Sequence, residues 1–261
     1  MNITYQNSGY THSIESISLF LTGDESPFWL EPILHFYPQI DKHTLMTLNA
    51  PDKQTYLNDV FLDIYQNLEE EINKKVICYH AHFQNHKRQI EDALSDAFQL
   101  DAGSIFQDLT CNVTLNPICP RFLKDRHFDI FYLNSEKGAL GLALHEVIHY
   151  FWFHVWNNHF KDSYDEYENP SLKWIISEMV VESIMNDERL RSLNPYFPKE
   201  NGGCVYPYFQ SMIINGAPIL DTIDHFYRQS SITDFMEKAY AYCSKYENEI
   251  RKHIKLAENS F

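Results

Sequence analysis

The run from Gly138 to Phe153 is apolar or aromatic apart from His145, Glu146 and His149. A segment that is apolar all round reads as a buried helix, and a fold that buries it must also find partners for those three polar groups. They spell His-Glu-x-x-His. On a helix, residues four apart lie on one face with Cβ atoms about 5 to 6 Å apart. His145 and His149 can therefore both offer an imidazole nitrogen to one zinc ion, which takes such ligands at about 2.0 to 2.1 Å. Glu146, one step from His145, points beside the metal and suits a base that takes a proton from water activated there. The competing reading is a structural pair of histidines, but a buried imidazole pair is costly unless it is hydrogen-bonded or binds a metal.

The 261 residues, 44% of them hydrophobic, suffice for one large domain or two small ones with a substantial core. With 21 basic against 36 acidic residues the net charge is −15. That field repels nucleic acid and anionic membranes, so neither is an expected partner. The first residues, Met1 to Asn7, carry neither a basic region nor an apolar core, and no apolar run reaches the roughly 18 residues of a membrane span. A cytoplasmic protein is expected. The five cysteines, Cys78, Cys111, Cys119, Cys204 and Cys243, show no C-x-x-C pairing, which predicts buried free thiols.

Along the chain, residues 14–21 and 28–36 are short apolar patterns broken by Gly23, Pro27, Pro32 and Pro38, and read as short helices or strands of a cover. Asn49 and Pro51 then open a long amphipathic helix marked by Leu57, Val60, Phe61, Ile64, Leu68, Ile72 and Val76. The pattern resumes through Phe83, Ile90, Leu94 and Phe98, as one helix or two. His82 and His86 are four apart on it, without an acid between them, and read as a solvated face. After Gly103 the period drops to two over 110–115 and 128–133, which predicts two strands. The second ends at Asn134-Ser135, where Ser135 can cap the helix of His145. It lies close enough to that helix to border the cleft, where an open edge could pair with an extended peptide. Residues 157–169 read as a loop. A second helix starts at Ser171, with Trp174, Ile175, Met179, Val180 and Ile184 on its apolar side. Residues 188–220 read as connection with a short helix over 207–214, and the tail carries helical patterns at 222–227 and 233–254.

A catalytic zinc needs a third protein ligand and an open position. The metzincin extension would require Gly at 152 and His at 155, where Trp152 and Val155 stand. His154 lies about 180° around the helix from His145 and faces away. Glu178 sits within the second apolar helix, where a lone carboxylate is costly to bury unless a metal holds it. Glu182, one turn on, shares its face and can support a ligand histidine. Over residues 128–187 the chain thus resembles the gluzincin zinc metallopeptidases, in which a Glu on a later helix joins the His-Glu-x-x-His pair, often followed by a second acid four positions on. The resemblance implies zinc held by His145, His149 and Glu178, with Glu182 in support. Glu182, backed by Asn186, is an alternative ligand. So is Glu168, which has the spacing of aminopeptidase-like gluzincins but loop-like surroundings.

The expected fold is α+β and mostly helical. It has a zincin-like core with a small sheet bordering the His-Glu-x-x-His helix, an N-terminal helical region over 1–105 and a catalytic region over 106–261, which one continuous domain could also contain. The expected activity is zinc-dependent hydrolysis of a peptide or protein substrate, with Glu146 as the base. Gluzincins tend to supply a Tyr or His beyond the Glu helix to the oxyanion, which makes Tyr206, Tyr208 and His225 candidates. The alternative is a non-catalytic binding or regulatory protein on the same fold.

Overall fold

The computed structural model describes residues 1–22, 26–195 and 203–258. The chain starts with a strand, β1 (Ile3–Gln6), followed by helices α1 (Gly9–Leu21), α2 (Ser26–Phe36), α3 (Lys42–Thr47) and α4 (Ala50–Phe98). Strands β2 (Leu109–Thr114), β3 (Arg121–Phe122) and β4 (His127–Phe131) lead into α5 (Glu136–Phe160) and α6 (Leu172–Met185). Then come α7 (Pro207–Ser211), the hairpin β5 (Ile213–Ile214) and β6 (Ala217–Pro218), and helices α8 (Ile219–Arg228), α9 (Ile232–Lys245) and α10 (Glu247–Glu258). The architecture is mostly helical α+β, as the periodicities predict. Among the described residues, no helix is long and apolar enough to cross a membrane.

The chain divides into two compact units. One comprises Asn2–Gln84 and Asp108–Ala139, and the other Asn85–Gln107 with the described residues from Leu140 on. In the first unit four strands form a mixed sheet in the order β1-β2-β4-β3, with β1, β2 and β4 parallel and β3 antiparallel to β4. The alternation read from the sequence does not mark one wet face. Asn112 and Asp129, on the polar side of their strands, are 3% and 0% exposed, because parallel strands are covered on both faces.

β4 does not offer the open edge expected of it. β3 pairs with its first two residues, the Asp129 N–H donates to the Pro120 carbonyl at 2.8 Å, and the Phe131 carbonyl accepts the Asn134 N–H at 3.2 Å. The turn that follows is pinned to the first part of α4. The Tyr79 hydroxyl lies 2.7 Å from the Tyr132 carbonyl and 2.6 Å from that of Asn134. Ser135 then caps α5 as predicted, its Oγ accepting the Gly138 N–H at 3.0 Å. Asn49 caps α4 in the same way, accepting the Asp52 N–H at 3.0 Å.

In the second unit α5 is buried around most of its circumference. Leu140, Ala143, Leu144, Val147, Ile148, Phe151, Trp152 and Phe153 are all at most 2% exposed, which explains why its sequence shows no polar stripe. Trp152 meets Phe235 of α9 edge-on at 5.5 Å, and Phe153 stacks on Tyr167 at 4.3 Å. α6, capped by Ser171 at the Trp174 N–H (3.0 Å), is buried from Ile175 to Met185 and packs on α8 and α9.

One close approach fixes the start of α5 in this unit. An alanine at Gly141 would put its Cβ 2.3 Å from Cδ and 2.5 Å from Cγ of Pro195. Alanine favours a helix over glycine by about 1 kcal/mol, yet such overpacking costs about 1–3 kcal/mol. Gly141→Ala is therefore expected to lower the unfolding midpoint in urea, and a rise would show that the approach yields without strain.

Candidate metal centre

Two consecutive turns of α5 bring the histidines together as the spacing requires. His145 Nε2 and His149 Nε2 are 3.1 Å apart, with ring centroids 4.9 Å apart. Glu178 of α6 reaches both, with Oε2 3.6 Å from His145 Nε2 and Oε1 3.5 Å from His149 Nε2. Glu146 lies to one side, its Oε1 4.0 Å from His145 Nε2. One donor atom from each of His145, Glu146 and His149 falls within 4.8 Å of the others, a group able to hold a metal ion.

The donor spacing can be tested against an ion. Bonds of about 2.0 to 2.1 Å to a tetrahedral zinc set neighbouring donors about 3.3 Å apart. The two ring nitrogens, 3.1 Å apart, lie close to that value, and each has one of the two Glu178 oxygens at 3.5 to 3.6 Å. Two imidazole nitrogens at 3.1 Å also need a proton or a cation between them, since facing lone pairs repel. The burial is one-sided: the His149, Glu178 and Glu146 side chains are 0%, 4% and 8% exposed, and His145 is 17% exposed. His145 is thus the most exposed member of the cluster.

The chain matches no family model, no curated protein and no solved structure. What this centre can do is therefore read from its own groups. Two imidazoles and a carboxylate are a donor set for zinc or a neighbouring transition ion rather than for calcium or magnesium, which take oxygen ligands.

The other candidates from the sequence fall in different places. Glu182 is buried (3% exposed). Its Oε1 accepts from Asn186 Nδ2 at 2.7 Å, and its Oε2 accepts from both the backbone N–H and the thiol of Cys204 at 3.1 Å. It thereby ties α6 to the segment that leads into α7. Glu168 lies exposed on a bend after a short 3-10 helix, Tyr164–Tyr167. His154 meets Phe106 edge-on, and its Nε2 lies 3.1 Å from Asn158 Nδ2. Tyr206, the N-cap of α7, stacks on Tyr208 at 5.2 Å and stands 5.9 Å from Trp174, one turn before Glu178 on α6. His225 is exposed on α8.

Sequence reasoning missed Cys204 as the anchor of Glu182. Its only signal was burial of a free thiol, which five cysteines share in the reading and four in the structure, Cys78 being exposed. It also missed Trp174 as the link between α6 and the tyrosines, because a tryptophan at helical spacing reads as core.

Proposed function

We propose that this chain is a zinc-dependent hydrolase of peptide bonds, with His145, His149 and Glu178 as metal ligands and Glu146 as the general base. The observation that supports it most is the donor spacing: three groups from two helices at 3.1 to 3.6 Å from one another, with a second carboxylate beside them.

A bound zinc supplies a Lewis acid that polarises a carbonyl and brings the pKa of a coordinated water to about 7. The residues of the chain do the rest. Glu178 supplies the negative charge that offsets the ion, and packing of α6 holds it between the two rings. The Glu146 carboxylate takes the proton of the attacking water and returns it to the leaving amine. A hydroxyl from Tyr206 or Tyr208, joined to α6 through Trp174, donates to the oxyanion, and His225 on α8 is the third candidate for that part. The substrate is a peptide or protein. A charge of −15 disfavours polyanionic partners, and five free cysteines suit a reducing compartment such as the cytoplasm.

The test pairs metal content with turnover on a quenched-fluorescence peptide library. Zinc-loaded protein is expected to cleave, and 1,10-phenanthroline to stop it. His145→Ala combined with His149→Ala is expected to remove the metal of this site and all hydrolysis together. Metal held at the wild-type level in that variant would refute the centre. Metal lost from it, with no cleavage by the wild type across the library, would leave a binding protein instead.

A further inference from the structure

A row of polar residues crosses the sheet of the other unit. Gln6 on β1 is the register partner of Asn112 on β2, which is in turn the partner of Asp129 on β4. Asp129 has no exposed surface, and a buried carboxylate is costly unless it is paired or binds a metal. Helix α1 covers it with two residues one turn apart. Ser16 donates to Asp129 Oδ2 at 2.5 Å, and His12 Nε2 stands 2.9 Å from Oδ1. His127, two positions before Asp129 and so on the same face of β4, brings a second imidazole. Its ring is edge-on to His12 with centroids 5.6 Å apart, and it is backed by a stack on Phe122 at 4.3 Å.

We propose that His12, His127 and Asp129 form a second metal site, for a divalent transition ion such as zinc. One donor atom from each lies within 4.8 Å of the others. Two imidazoles and one carboxylate select zinc and its neighbours over calcium and magnesium. The carboxylate is oriented from behind, by Ser16 and by Asn112 Nδ2 at 3.1 Å. Asn112 is itself held by Gln6 Nε2 at 3.0 Å and by the Ser8 hydroxyl. Such outer partners are what a ligating carboxylate ordinarily has. Access comes from the histidine side, since the His12 side chain is 24% exposed and His127 is half-buried.

An ion pair between His12 and Asp129 would explain the buried carboxylate, but not the second imidazole set beside it on the same face. The site is assembled from α1 and β4, so an ion there would clamp the helix to the sheet and stabilise the folded state by mass action.

The test reads metal alone and does not depend on hydrolysis at His145 and His149. The full-length His145→Ala, His149→Ala variant is stripped with chelator and titrated with Co2+. It is expected to take up one equivalent, with visible d–d absorption and a rise in unfolding temperature. Adding His127→Ala should abolish both signals while leaving the circular dichroism spectrum unchanged. Because the double variant loses one buried and one part-buried imidazole and can fail to fold, His127→Ala is also made alone, where total zinc is expected to fall by one equivalent. A folded double variant that binds no cobalt would overturn the proposal, as would His127→Ala retaining all of the wild-type metal.

Discussion

Glu146→Gln is expected to keep the metal and the fold while peptide hydrolysis falls by about 10²- to 10⁴-fold, the usual contribution of a positioned general base. Gln has nearly the shape of Glu, so packing around a side chain that is 8% exposed is preserved. It cannot accept a proton at neutral pH. Glu146 also stands 4.0 Å from His145 Nε2, farther than Glu178 is from either ring, so its loss should leave the ion's ligands in place. Zinc content, unfolding temperature and kcat/KM are measured on one preparation. Turnover equal to wild type with metal bound would assign the proton to another group.

Glu178→Ala is expected to weaken metal binding more than any other carboxylate substitution, by over about 100-fold, because outer-shell changes already account for about 10- to 100-fold. It removes a carboxylate that has an oxygen within 3.6 Å of each ring nitrogen. Glu182→Ala makes the informative comparison. It removes an acceptor shared by the Asn186 amide and the Cys204 N–H and thiol, and loss of a buried hydrogen-bond partner costs about 1–3 kcal/mol of stability. Glu182→Ala should therefore appear mainly as a lower unfolding temperature, and Glu178→Ala mainly in a metal titration. If the titration finds Glu182→Ala the more damaging, the ligand assignment moves one turn along α6.

Parts of the architecture were legible because they are local. Asn49 and Ser135 cap the helices they were expected to cap, and α4 and α6 begin close to where predicted. Other parts had weak local signals. β1 is only four residues long, too short for its alternation to stand out beside the helical pattern that follows. The hairpin β5–β6 turns at Asn215-Gly216, with φ of 52° and 78°. That dipeptide is a strong hairpin signal, but strands of two residues offer nothing on either side of it. The helix expected over 207–214 ends at Ser211 because Ile213 and Ile214 pair with Pro218 and Ala217. The single helical pattern expected over 233–254 is broken at Tyr246, the C-cap of α9.

The two candidate metal-binding groups mark where sequence stops and tertiary structure begins. His145 and His149 were readable because one helix carries both, and its 3.6-residue repeat sets their separation before any packing occurs. The choice among Glu178, Glu182 and Glu168 was not, because two of these acids share one helix face. The packed structure places Glu178 near both rings, while Glu182 is bonded to Cys204 and Asn186. His12, His127 and Asp129 left no pattern in the sequence at all. His12 lies on a different element, far from the other two along the chain, and only the parallel register of β1, β2 and β4, with α1 laid over it, brings their donor atoms together.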